Sequence, residues 1–323
     1  MHKYKIRDSL FFFEGRKKFM NSIKLIKYLK KIKRYRFIYL MLLPVLVYFL
    51  IFSYYPLALG IFDSFHQVKI LGGSKFIGLE NYKTIINNPL YMQALRNSIV
   101  VGVGIFLFQF IWGLTIALLI NEIKSNAVKS AVQTVTYIPY LLSWAVVGGL
   151  WITILSPTGM LNGVLELFGG DNFRPIVFMS EPKFAREIMI FTGAWKGAGY
   201  YAVLFLAAVV SIDPNLYEAA SIDGASRLRQ IFSITIPNII PTVKVVTVLA
   251  AMGVLRNFDQ IFIMANASIY DEVRNLLFLI YNDGIIQFKI GPATAAATLV
   301  LIATMFISFA VRKLIHYDDS YND

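Results

Sequence analysis

Four ionisable residues, Lys196, Lys244, Arg256 and Asp259, interrupt stretches that are otherwise almost wholly apolar. At membrane depth a charge costs about 2.5–3.5 kcal/mol on insertion scales, so each is a functional candidate by default. Lys244 lies close to one end of its stretch, where the aliphatic stem can carry the ammonium out to the interface, and is read as structural. Arg256 and Asp259 are i, i+3 neighbours, expected to neutralise one another as an ion pair or to contact a substrate. Lys196 follows Trp195, and its neighbours leave its role open. Tyr137, Tyr140, Trp144 and Trp151 recur at i, i+3, i+7 and i+14, which puts four rings on one helix face. Such a stripe can stack on sugar rings or pack against neighbouring helices, with the outermost ring in an aromatic belt. The substrate-path candidates are therefore Tyr140, Trp144, Trp151, Lys196, Arg256 and Asp259. Gly193 and Gly197 make a GxxxG step, and with Gly148–Gly149 they are expected to allow close helix packing.

Other chemistries are excluded by what the chain lacks. There is no cysteine, and His2, His66 and His316 are too scattered for a metal motif. Gly72-Gly73-Ser74-Lys75 lacks the spacing of a phosphate-binding loop, so the chain cannot itself be an ATPase. No G-x-S-x-G elbow occurs, and Asp271-Glu272 and Asp318-Asp319 are isolated acids, so an enzyme is a poor reading.

The elements that must position these residues are helices in a bilayer. Of 323 residues, 57% are hydrophobic and 15% charged, against roughly 45–50% and about 25% for a soluble domain. Six charge-poor stretches reach the roughly 20 residues needed to cross the hydrocarbon: Phe37–Phe62, Asn97–Asn121, Ala131–Leu155, Ile188–Ile212, Ile239–Met264 and Ile290–Val311. The expected fold is all-α, a polytopic membrane protein with six transmembrane helices. Of the net charge of +12, residues 1–36 supply +11, through thirteen Lys/Arg against Asp8 and Glu14. That charge stops at Arg36, where the first apolar run begins, so it reads as a cytoplasmic anchor beside anionic lipid and not as a nucleic-acid surface. The Lys/Arg bias then places both termini in the cytoplasm. The expected divisions are a basic segment 1–36, a transmembrane domain 37–313 and a short acidic tail 314–323. The long outer loops are expected to carry short surface helices.

Between the fourth and fifth stretches, on the cytoplasmic side by this orientation, residues 213–237 have the local chemistry of two short helices. Asp213 can cap the first with Pro214 in its opening turn. Gly224 can supply the left-handed residue that ends it, and Pro237 precedes the next span. A compact helix-turn-helix knob follows.

Here the sequence resembles the inner-membrane permeases of binding-protein-dependent ABC importers. Their signature is Glu-Ala-Ala, three residues, Gly, nine residues, then Ile-x-Leu-Pro; Glu218, Ala219, Ala220, Gly224, Ile234 and Pro237 stand at that spacing, with Ile236 in place of Leu. Trp195-Lys196, Leu206-Ala207-Ala208 and Phe258-Asp259-Gln260-Ile261 are similar to its carbohydrate branch, especially oligo- and polysaccharide permeases. The resemblance implies that those six residues form a coupling helix seated on a separate ATPase dimer, which carries ATP and magnesium while this chain binds no cofactor. It also implies a second permease subunit, an extracytoplasmic substrate-binding protein, a saccharide substrate and a place in the bacterial cytoplasmic membrane. The alternative is an ion-coupled secondary transporter, which would need inverted repeats and midplane ion ligands.

Overall fold

The computed structural model describes residues 34–69, 72–169 and 173–315. Most of the basic segment 1–36 and of the tail 314–323 lies outside them. The chain divides into a first unit, 1–60, and a second, 61–323. Most of helix α1 (Arg36–Asp63) lies in the first. Within α1 a single π turn, Leu50–Tyr54, brings the Tyr55 N–H to the Leu50 carbonyl just ahead of Pro56. A proline has no N–H to donate and its ring crowds the carbonyl four residues back, and a wider turn accommodates both.

The second unit begins with a two-residue hairpin, β1 (His66–Gln67) antiparallel to β2 (Lys75–Phe76), and a short helix α2 (Glu80–Asn87). Helix α3 (Pro89–Asn121) follows, with the Asn88 side chain accepting from the Leu90 N–H at its start. Next come α4 (Asn126–Leu141), α5 (Trp144–Ile154) and α6 (Met160–Gly169). Helix α7 (Pro182–Val210) is followed by the short α8 (Pro214–Ile222) and by α9 (Arg227–Gly253). The chain then forms α10 (Asp259–Met264), α11 (Tyr270–Val273), α12 (Leu276–Ile286) and α13 (Ile290–Leu314).

Among the described residues five helices, α1, α3, α7, α9 and α13, are long and apolar enough to cross a membrane, and the α4–α5 pair makes a sixth crossing if taken as one bent span. The sequence boundaries hold within three residues for α1 and α13, while α7 starts six residues before the expected Ile188. Helix α3 starts eight residues before the expected Asn97, at the Asn88 cap and Pro89, and Asn97 within it is buried with its amide donating to the Asp271 and Arg274 carbonyls at 3.0 and 3.1 Å.

Two expected spans differ in kind. The stretch Ala131–Leu155 is broken at Leu142–Ser143, both extended, with a bend of 100° between α4 and α5. Ser143 caps the second half by accepting from the Val146 N–H. The stretch Ile239–Met264 stops at Gly253 and resumes at Asp259 as α10, while its first half extends backward to Arg227 without interruption. Pro237 therefore sits inside α9 and not before it. The Ile231–Thr235 π turn ahead of it repeats the device of α1, and the Asn238 amide takes up the Ile234 carbonyl at 2.7 Å.

Helices α3 and α7 form the most extensive helix pair; α3 contributes to all three apolar clusters and α7 to two of them. A Cβ on Gly193 would stand 2.7 Å from the Ile105 Cδ1, and one on Gly197 would strike the Gln109 side chain. The GxxxG step thus serves packing within the chain. Buried asparagines also fix the loops: Asn81 on α2 donates to the Ser64 and His66 carbonyls, and Asn162 on α6 both donates to and accepts from the Ile176 backbone.

Candidate functional site

The α8 knob is built as its residue types dictate. Asp213 Oδ1 accepts from the Asn215 N–H at 3.0 Å and Pro214 occupies the first turn. At the other end Gly224 has φ +76°, the Gly224 N–H donates to the Ser221 carbonyl and the Ala225 N–H to the Ala220 carbonyl. These two bonds are the paired closure of a Schellman motif, and the positive φ is why glycine stands there.

The knob is also clasped to the root of α9. The buried Gln230 amide donates to Ser221 Oγ at 2.9 Å and to the Ala225 carbonyl at 3.2 Å, while its oxygen accepts from Arg227. Tyr217 and Thr235 share a hydroxyl bond of 2.9 Å. Outward, the knob presents Glu218 and Ala219 with exposed apolar Leu216, Ile222, Leu228 and Phe232. Ile234 is half-buried and Pro237 exposed.

A second constellation surrounds a cavity of about 270 Å³ between α3, α4, α5, α7 and the end of α9. Tyr140, Trp144, Lys196 and Arg256 line it, with Gln109, Asn257 and Gln260 supplying neutral polar groups and no carboxylate among the lining residues. Lys196 Nζ donates to the carbonyls of Pro139 and Tyr140 at 3.1 and 2.9 Å. It also lies 5.5 Å from the Tyr140 ring centre and 5.6 Å from that of Trp144. Gln260 is fully buried and donates to the Met189 carbonyl and Thr192 Oγ1, both at 2.7 Å.

The structure brings four of the six substrate-path candidates to that cavity. Trp151 is elsewhere, edge-on to Phe191 and Trp195 in an apolar pocket. The single-face stripe fails because the 100° break turns α5 away from α4. Asp259 is exposed in the first turn of α10, and among the described residues it makes no ion pair with Arg256. The i, i+3 geometry requires an unbroken helix, and the chain leaves α9 before Arg256. Lys244 forms no part of this wall.

Residues 109–316 match the family described as the binding-protein-dependent transport system inner membrane component. The chain belongs to this family. It is 32% identical over 292 residues to the polygalacturonan/rhamnogalacturonan transport system permease protein YteP of Bacillus subtilis, covering 88% of this chain and 90% of that protein. It is 27% identical to the arabinooligosaccharides transport system permease protein AraP of the same organism, covering 85% and 87%. A solved chain from a bacterial ABC transporter involved in the import of the acidic polysaccharide alginate superposes with a TM-score of 0.82 at 32% identity, covering 90% of this chain and 98% of that one.

In this permease the sequence reading missed the neutral amides. Gln109 and Gln260 stand uncharged in apolar runs, and Gln230 follows Arg227 and Arg229 beside the knob, so none of the three is marked by an isolated charge. A Gln inside such a run is itself a signal, since a buried amide must find partners.

Proposed function

We propose that this permease supplies one half of the translocation path of an ATP-driven importer for an oligo- or polysaccharide. The observation that carries the coupling role is the clasped α8 knob. Glu218, Ala219, Ala220 and Gly224 belong to one capped projection whose outer side exposes apolar residues, and Gln230 bonds it to the root of α9, where Ile234 and Pro237 follow. Exposed apolar surface of that kind suits a partner's groove. The occupant is a separate ATPase dimer that holds ATP and magnesium, and Glu218 pairs with a basic residue there. The substrates of the relatives support the carbohydrate class.

Residues 1–36 and 314–323 lie in the cytoplasm, and 37–313 form the permease domain. A second, different permease subunit completes the path, and an extracytoplasmic binding protein docks on the outer loops. Tyr140, Trp144, Lys196 and Arg256 line this chain's share of the path, and Trp151 and Asp259 support it from outside the cavity. Membership of the binding-protein-dependent family favours this reading over ion-coupled secondary transport.

Reconstitution in proteoliposomes with the ATPase and partner permease tests the reading. ATP hydrolysis should rise with loaded binding protein and the rise should vanish in Glu218→Ala. Uptake driven by an ion gradient without ATP would overturn it.

A further inference from the structure

The break between α4 and α5 leaves the last carbonyls of α4 without intrahelical donors in a membrane protein, where each must be satisfied by protein. Lys196 meets that need from α7, donating to two of them and lying against the rings of Tyr140 on α4 and Trp144 on α5. A cation at a helix C-terminus is also favoured by the helix dipole. An ammonium has three donors, so one remains for the cavity. The same wall holds Arg256, whose side chain makes no hydrogen bond or ion pair among the described residues, and no acid to neutralise either cation.

We propose that Lys196 and Arg256 form a carboxylate-binding site for an acidic saccharide, and that a carboxylate taken by Lys196 is exchanged against the Pro139 and Tyr140 carbonyls, so that occupancy loosens the break. This rests on the import reading and adds the substrate's charge and the way its arrival is sensed. The exchange is favourable because a carboxylate is a stronger acceptor for an ammonium than a neutral carbonyl, and the released carbonyls accept from the hydroxyls of the same saccharide in place of Lys196. A neutral sugar offers no such competitor and leaves the break pinned.

The test uses the assembled importer in lipid nanodiscs, with a galacturonic acid trisaccharide and its carboxyl-reduced galactose counterpart as probes. The native chain has no cysteine, so labels on cysteines placed at exposed Ser130 and Ile152, one on each side of the break, report its angle as a distance. The uronate should change that distance and the neutral trisaccharide should not. Arg256→Gln, which removes no intramolecular bond, should weaken uronate binding about tenfold, the scale of one charge-assisted hydrogen bond, and Arg256→Lys should restore most of it. Lys196→Met should give the altered distance without any sugar. Equal binding of both trisaccharides, or undiminished uronate binding in Arg256→Gln, overturns the proposal. In either case ATP-dependent uptake by the unmodified chain shows that the import reading still stands. Absence of ATP-dependent uptake of any saccharide overturns both.

Discussion

At Gly224 the backbone takes φ +76°, a region that costs an L-residue with a Cβ roughly 1–2 kcal/mol. Nothing crowds the position where that Cβ would lie, so the cost of substitution is conformational and not steric. Gly224→Ala should therefore lower the saccharide carried per ATP hydrolysed while leaving membrane insertion intact, and Gly224→Asn, which tolerates the left-handed region, should recover most of it. Measuring uptake and phosphate release in the same vesicles checks this, and unaltered stoichiometry in Gly224→Ala would remove the cap from the coupling mechanism. Gln230 acts at the same scale. Gln230→Leu strands the Ala225 carbonyl and frees Ser221, a loss of about 1–2 kcal/mol. Amide exchange over residues 213–230 should then quicken roughly tenfold, with exchange along α3 unchanged.

Among the elements, the α3–α7 pair is held at close range by small residues facing long ones. Leucine at position 193 would have to displace Ile105, whose Cδ1 already stands 2.7 Å from where a Cβ would be, and overpacking of this kind costs about 1–3 kcal/mol. Gly193→Leu should lower the thermal unfolding midpoint in detergent, and Gly149→Ala, where a Cβ meets nothing within 4 Å, should not. A different expectation attaches to α5. Ser143→Ala removes the side-chain cap of a helix that starts at a break, worth about 1 kcal/mol. Its effect should appear as a changed Ser130–Ile152 label distance before any change in the unfolding midpoint.

For the molecule as a whole, hydropathy made the number and approximate place of the spans legible, because length and apolar content are what a bilayer demands. The breaks were not legible. Leu142–Ser143 carries no charge and no proline, and its extended conformation depends on Lys196 arriving from α7 to satisfy the carbonyls it exposes. The knob could be read to the residue from Asp213, Pro214 and Gly224, since caps are local chemistry. The cavity could be read only in part, because Gln109 and Gln260 carry no charge and because hydropathy does not mark the helix end at Gly253 that parts Asp259 from Arg256. The continuity of α9 has a mechanical consequence. Its 27 residues make a connecting rod about 40 Å long, clasped through Gln230 to the knob at one end and forming cavity wall at Ala250 and Gly253 at the other. A tilt of about 5° in such a rod moves one end by roughly 3.5 Å relative to the other. A small push on the knob would thus reach the cavity through one continuous helix, whose places to bend are the Ile231–Thr235 π turn, which absorbs the donor missing at Pro237, and Pro241.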